Sequence, residues 1–405
     1  MTRDLIVVGG GPAGSAAALY GARAGLDVLL LEKDVFPRDK ICGDAISGKS
    51  SAILRELGLL DGVAHLPGKR VGHFVFGSPD HVLADIDLSH AADPDRVTGF
   101  VIRRLEFDAF LFAAAAARVE ARDGFVVDGL IRSAGRICGV HGRDHRTGRT
   151  EEIAGRIVLG ADGYRSIVAR ATGLYGFDPS HSSVGVRAYY EDVGGLADAI
   201  ELHYVDAVRP GYLWIFPLGG GRANVGIGML AGPMKRQRVN LVDALDAEIA
   251  EPYLRKRFAG ARRIGRVVGW QLPIGSRRRP ASGDGFMLLG DAAGLIDPFT
   301  GEGIGNALFA GRRAAAVAAD ALRDGDVSAA RLARYDDALW AEIGDELAVS
   351  TRLQRIGRFR PLLELTIRKA ARNPKVADMI CAMVANEMPR KALASPLFYL
   401  RLLLL

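Results

Sequence analysis

Apolar and polar positions fall along this chain in blocks whose period changes. Residues 4–8 (Asp-Leu-Ile-Val-Val) form a short apolar run, the pattern of a strand buried on both faces. A glycine turn follows, then an alanine-rich stretch with helical period to about Arg23. Gly25 closes that helix, and residues 27–32 make a second apolar strand. This is a β-α-β unit with short connections.

Residues 48–60 read as helix. Residues 70–102 alternate (Val71, Phe74, Phe76; Val82, Ala84, Ile86) around turn signals, and read as strands with one wet face. A helix is predicted from about Leu105 to Ala121, then strands at 125–130, 136–141 and 151–159. Residues 183–230 are again strand-rich, 239–259 helical, and 262–273 and 285–290 strands. From 304 onward the period is helical, and Pro361, Pro374, Pro389 and Pro396 cut this end into short helices. There is no internal repeat. The order implies one α/β nucleotide domain interrupted by an antiparallel-sheet domain.

The first turn reads Gly9-Gly10-Gly11-Pro12-Ala13-Gly14, and Glu32 ends the next strand. Glycines at these spacings allow a tight turn at Gly9, backbone approach to a pyrophosphate at Gly11, and close helix–strand packing at Gly14. The helix N-terminus offers free N–H groups and a positive dipole end to a phosphate. The Glu32 carboxylate accepts from ribose hydroxyls and repels a 2′-phosphate, so the nucleotide is FAD or NAD rather than NADP. This turn alone does not separate the two.

Two later motifs also follow buried strands. One is Gly160-Ala161-Asp162-Gly163-Tyr164-Arg165-Ser166. The other is Gly290-Asp291-Ala292-Ala293-Gly294, continuing as Asp297-Pro298-Phe299-Thr300-Gly301-Glu302-Gly303-Ile304-Gly305-Asn306. A strand-end Asp beside small residues can hold a ribose or ribityl hydroxyl. The helix that starts at Gly303 can stabilise negative charge on a reduced flavin. In this order and spacing the three motifs resemble the group A flavoproteins of the para-hydroxybenzoate hydroxylase fold, over most of residues 1–320. The resemblance implies FAD. It places Gly9, Gly11, Ala13, Gly14, Glu32 and Lys33 on the nucleotide. Arg104 would reach the phosphates and Asp291 the ribityl–pyrophosphate region. Gly303 and Ile304 would give backbone to the flavin, and Asp162 and Gly163 would serve both the flavin and its reductant.

Residues 36–47 contain Lys40-Ile41-Cys42-Gly43, which looks like the Lys-x-Cys-Gly segment of geranylgeranyl reductases. In that family the segment lies along the flavin, which adds Cys42, Gly43 and Ala45 to the cofactor contacts. Tyr212-Leu213-Trp214-Ile215-Phe216-Pro217 is similar to the family's Tyr-x-Trp-x-Phe-Pro strand. At period 2, Tyr212, Trp214 and Phe216 share one face of a strand. They read either as core packing or as an aromatic wall for an apolar substrate. Cys42 likewise reads as a catalytic thiol or as a small residue packed under the flavin.

Composition trims the alternatives. Three cysteines (Cys42, Cys138, Cys381) form neither a disulfide scaffold nor a zinc pattern, and the eight histidines show no ligand pair, so no metal is expected. Three cysteines also cannot hold a four-cysteine iron–sulfur cluster. No leader peptide or apolar run of membrane-spanning length is seen, which suggests a cytoplasmic protein. The net charge of +6 is uneven. Residues 351–405 carry 11 Lys/Arg against 3 acids, whereas the first 350 carry 42 against 44. That argues against a nucleic-acid partner. The basic C-terminal helices either face an anionic membrane or pack on the FAD domain with a basic outer face.

The expected fold class is α/β. A discontinuous Rossmann-like FAD-binding domain (1–70, 103–180, 271–325) is interrupted by an antiparallel β-sheet substrate domain (71–102, 181–270), with a C-terminal helical segment (326–405). The resemblance implies an FAD-dependent reductase that saturates double bonds of a polyprenyl lipid. The reductant would be transiently docked NAD(P)H, since there is no second Gly-x-Gly-x-x-Gly, or a ferredoxin-like carrier. Arg277-Arg278-Arg279 reads as a solvated charge run, or as a patch that steers that reductant. The competing expectations are a flavin monooxygenase or halogenase acting on an aromatic or natural-product substrate, and electron transfer to a quinone.

Overall fold

The computed structural model describes residues 2–91, 93, 99–384, 395, 397 and 400. Strand Arg3–Val8 runs parallel between Val28–Glu32 and Thr150–Gly160. Phe286–Leu288 and then Ser282–Gly283 extend the sheet on one side, and Glu120–Asp123 on the other. A hairpin, Phe125–Ser133 with Arg136–Asp144, leans on Thr150–Gly160. Leu5, Ile6, Val7 and Leu29–Leu31 are wholly buried, which explains why these strands read as unbroken apolar runs. Helix Pro12–Arg23 packs against helix Ile304–Asp324. The two backbones meet so closely that a Cβ on Gly311 would lie 2.5 Å from the Ala13 carbonyl oxygen.

The second sheet has seven strands, in the order Arg262–Pro273, Ser182–Glu191, Arg222–Leu230, Gly211–Gly219, Ala199–His203, His73–Gly77 and Leu83–Asp87. It is antiparallel except where Ala199–His203 runs parallel to His73–Gly77. Helices Leu241–Ala250 and Pro252–Phe258 cover its outer face through Leu241, Leu245 and Leu254, which bury Leu213, Ile215, Val225 and Ile227. The inner face, which carries Tyr189, Trp214 and Phe216, looks toward the first sheet. Its Tyr189, Arg187 and Asn224 bond to Asp44, Asp39 and the Cys42 carbonyl of the nucleotide domain.

Three local expectations change. The helix at 104 ends at Ala116, and Glu120–Asp123 is a strand paired parallel with Val28–Glu32. Residues 117–121 have no breaker, and it is pairing with an open sheet edge that takes them out of the helix. Gly99–Ile102 joins neither large sheet and instead forms a small sheet with Ala45–Ile46 and Gly68–Val71.

The third change is at the chain's end. Helices Arg360–Arg372 and Pro374–Val384 pack on the Leu83–Asp87 edge of the seven-stranded sheet, not on the FAD domain. They bury Ile367, Ala370, Val376 and Cys381 against Ala84, Ile86 and Leu88. Part of the basic excess is spent on this contact, since Arg368 pairs with Asp80 and Arg360 with Asp206 and Glu364. Of the apolar stretch 397–405, only Leu397 and Leu400 are among the described residues. No helix of the described residues is long and apolar enough to cross a membrane.

Candidate active site

The dinucleotide end is built by close approach. Gly9 has φ +105°, and a Cβ there would lie 2.5 Å from the Ala161 carbonyl oxygen. One on Gly14 would lie 1.8 Å from the Gly9 carbonyl oxygen. Only glycine fits either position. The Gly10 N–H donates to Glu32 Oε2 (2.8 Å) and the Asp34 N–H to Oε1 (3.1 Å), which fixes the carboxylate at the strand end. Lys33 is exposed beside it, and Ala13 is buried in the first helical turn. Gly11 caps helix Pro12–Arg23 with no side-chain bond and no acid in the first turn, so the dipole end is left for an anion.

Arg104 lies beneath this turn, 2% exposed, and grips Asp108 with two bonds of 2.6 Å. Arg38 reaches the same carboxylate at 2.5 Å. Burial works against the charge on Arg104, but Asp108 and the Cys42 thiol outweigh it and hold its pKa above the ordinary arginine value. The turn is therefore flanked by two fixed guanidinium groups.

The later motifs converge on the same side. Asp162 accepts from the Ile167 N–H (2.6 Å), but its Oδ1 is buried without a partner, and burial raises its pKa. Beside it, a Cβ built on Gly163 meets nothing within 4 Å. Asp291 is held by Lys40 Nζ at 3.0 Å, a contact that folds the Lys-x-Cys-Gly segment onto this loop. Gly303 opens helix Ile304–Asp324 without a side-chain cap, and Ile304 is buried. Glu302 Oε1 accepts from the Gly305 N–H (2.5 Å) and from Ser47 (3.1 Å). The uncapped helix end at Gly11, the orphaned Asp162 oxygen and the glycine cradle fit FAD. Gly9, Gly11, Ala13, Gly14, Glu32 and Arg104 would take its nucleotide. Asp162, Gly163, Asp291, Gly303 and Ile304 would take its flavin half.

The aromatic strand closes over the Cys42–Gly43 segment. A Cβ on Gly43 would lie 2.9 Å from the Phe216 ring and 3.7 Å from Trp214 Nε1. Tyr212, Trp214 and Phe216 form a row with successive centroids 6.2 Å apart, the first pair edge-to-face and the second tilted. Tyr212 donates its hydroxyl to the Thr300 carbonyl, ahead of Gly303. The Trp214 indole lies on the sheet because its cross-strand neighbours are glycines, Gly226 beneath it and Gly185 and Gly228 at its edges. Cys42 is half-buried, and Ala45 begins the short strand paired with Val101.

Three residues not singled out from the sequence join these parts. Asn224, wholly buried, donates through Nδ2 to the Cys42 carbonyl and to Asp44 Oδ2, both at 2.8 Å, and accepts from Trp214 Nε1 at 3.0 Å. Asp44 also accepts from the Tyr189 hydroxyl (2.8 Å) and the Arg104 N–H (3.2 Å). An asparagine inside the largely apolar strand Arg222–Leu230 was a visible signal, since a buried amide needs partners. Which partners it finds is not legible from sequence.

Burial raises the Asp44 pKa to about 6, despite bonds from Asn224 and Tyr189 that favour the charged form. Its folded pKa therefore exceeds its unfolded one. The native state holds the extra proton, and this group's contribution declines as pH rises from about 4 to about 6. From this shift the loss is about 3 kcal/mol. Asp44→Asn is expected to flatten that part of the stability profile. Urea unfolding of both proteins at pH 4.5 and pH 7 tests it, and an unchanged difference between the two pH values counts against the assignment.

A parallel α/β sheet with a glycine turn at an uncapped helix end, a carboxylate fixed at the next strand end and an aromatic wall opposite has the build of a flavoprotein oxidoreductase. Comparison with known proteins agrees. The FAD binding domain family matches residues 2–338. The digeranylgeranylglycerophospholipid reductase of Methanosarcina mazei is 34% identical over 355 residues, 86% of this chain and 83% of that protein. The menaquinone reductase of Mycobacterium tuberculosis is 33% identical over 330 residues, 77% and 75%. Among solved structures, a geranylgeranyl bacteriochlorophyll reductase-like protein from Thermoplasma acidophilum superposes with a TM-score of 0.84 at 26% identity, covering 95% of this chain and 98% of that one. A flavin-dependent brominase shares the fold, with a TM-score of 0.77 at 22% identity. The chain belongs to the geranylgeranyl reductase family of FAD-dependent oxidoreductases.

Proposed function

We propose that this enzyme saturates carbon–carbon double bonds of a polyprenyl lipid. The observation that carries the reading is the flat Trp214 indole, seated on glycines directly across from Cys42 and Gly43. It offers an apolar chain a broad surface beside the flavin-binding segment. The name of the Methanosarcina mazei relative, a digeranylgeranylglycerophospholipid reductase, supports the same reading. Reduced FAD, when bound, supplies a hydride. The chain's own residues hold the alkene against Trp214 and exclude water with Tyr212 and Phe216. The second carbon needs a proton. An ordered water, Tyr212 and the Cys42 thiol are the candidate donors, and the commitment of the Tyr212 hydroxyl to the Thr300 carbonyl favours the other two. The reductant is NAD(P)H docking transiently or a ferredoxin-like carrier.

The test is anaerobic. The flavin is reduced with dithionite and mixed with geranylgeranyl-bearing lipids. The expected result is flavin reoxidation together with a product two mass units heavier per double bond. Reoxidation that occurs only with oxygen would replace this reading with a monooxygenase or halogenase. Reoxidation by a quinone alone would replace it with electron transfer.

A further inference from the structure

The inner face of the seven-stranded sheet carries a row of residues in register across four strands: Trp270, Gly185, Gly228 and Tyr212. Directly opposed residues share a face, so this row is a bare floor between two aromatic side chains. The atoms nearest to Cβ atoms built on Gly185 and Gly228 belong to Trp214, Leu272 and the sheet's own backbone, none closer than 3.1 Å. Trp214 walls one side and Leu272 the other. Three strand spacings make the floor about 14 Å long. At the inner end Tyr212 is pinned to the Thr300 carbonyl, which closes the trough.

The outer end differs. The Arg165 guanidinium, from the nucleotide domain, lies 5.4 Å from the Trp270 ring centroid. Arg165 is exposed and makes no ion pair within 4 Å among the described residues. The Trp270 Nε1 is buried without an acceptor. Along the floor, Arg187 is 5% exposed and its Nε is also buried without a partner, although its other end pairs with Asp39 at 2.8 Å. Donors without acceptors thus flank an apolar floor that ends at an unpaired cation.

We infer that the trough takes its lipid tail-first and that Arg165 with the Trp270 N–H seats a phosphate-bearing head group at the mouth. This rests on the polyprenyl reductase reading and adds the head-group chemistry and the direction of the chain. Guanidinium to phosphate is a strong charge-assisted pairing, and an indole N–H supplies a donor that a neutral alcohol exploits less well. The double bonds far from the head group then lie nearest Tyr212 and the Cys42 segment.

The experiment is equilibrium binding to the oxidised FAD-bound enzyme, read from the flavin absorbance, with geranylgeranyl phosphate and geranylgeraniol as probes. Arg165→Gln is expected to weaken the phosphate about tenfold and leave the alcohol within about twofold. Gly185→Val, which fills the floor, is expected to weaken both alike while FAD stays bound. Inorganic phosphate in the millimolar range is expected not to displace the lipid, because a head group without its chain gains only the mouth contacts. Equal loss for both probes in Arg165→Gln overturns the head-group seat and leaves the reductase reading intact. A wild-type enzyme that binds neither lipid overturns both.

Discussion

Replacing Gly226 with alanine is expected to cut lipid turnover by about 10²-fold while FAD remains bound. A Cβ at this position would lie 2.2 Å from Trp214 Cζ2 and 2.4 Å from the Val186 carbonyl oxygen, far inside contact distance. The indole cannot swing aside cheaply, because its Nε1 is tied to Asn224. Relief has to come from lifting the ring off the sheet into the space the substrate occupies, or from spreading two strands. Overpacking of this kind costs about 1–3 kcal/mol. The check is turnover under the anaerobic assay beside flavin content and a urea unfolding curve. Adding Trp214→Leu to the Gly226→Ala protein should return stability without returning turnover, since the clash goes but so does the platform. Wild-type turnover in Gly226→Ala would mean that the flat ring has no part in holding the substrate.

The second large effect is expected at Asn224. Asn224→Leu keeps the branched shape with added bulk, leaves the Cys42 carbonyl and the Trp214 Nε1–H unpaired, and removes one of the two donors to Asp44 Oδ2. Asp44 keeps its bond from Tyr189, so the full desolvation penalty falls on the other two, at about 1–3 kcal/mol each. The functional loss follows from geometry. Asn224 is the clamp that sets the Cys42–Asp44 segment against the aromatic wall, and a misplacement of about 1 Å there is worth about 10² in rate. The expected signature is a fall in kcat larger than any rise in KM, because the apolar surface that binds the chain survives. Asn224→Asp should behave differently with pH. A second carboxyl beside Asp44 forces one of the pair to stay protonated, so its turnover should improve as pH falls. A turnover within twofold of wild type for Asn224→Leu, or an Asn224→Asp profile parallel to wild type, would show that the clamp is dispensable.

These two residues show where sequence reading runs out. The glycine fingerprint, Glu32 and the two Asp-containing strand ends were legible because each is a local solution to a local problem. A turn that needs φ near +105° or a backbone approach under 3 Å admits glycine alone, and the spacing of strand, turn and helix is written in consecutive residues. The aromatic strand was legible as a face, because period 2 puts Tyr212, Trp214 and Phe216 together whatever lies opposite. What lies opposite was not. Gly185, Gly226 and Gly228 look like ordinary weak strand positions until the register of three strands sets them under one indole. Asn224 meets Cys42 and Asp44 across about 180 residues of chain. The C-terminal helices were visible as amphipathic and basic. Their seat on the Leu83–Asp87 edge depends on Ala84 and Ile86 presenting a matching apolar surface nearly 300 residues earlier.

By itself, then, the sequence determined the β-α-β start of the nucleotide-binding half and its dinucleotide turn, which follow from steric and dipolar constraints satisfied within a few residues of chain. FAD and the family came from the resemblance of the later Asp-Gly motifs, Lys40–Gly43 and Tyr212–Pro217. Only the tertiary structure decided the catalytic half. It laid Trp214 flat, buried Asp44 deeply enough to raise its pKa, left Arg165 unpaired at the mouth of a bare floor, and placed Arg104 beside the Cys42 thiol. Each of these depends on strand register and on which distant surfaces exclude water from one another. Neither property is encoded in any short stretch of residues, because burial and pairing are set by the whole packed molecule.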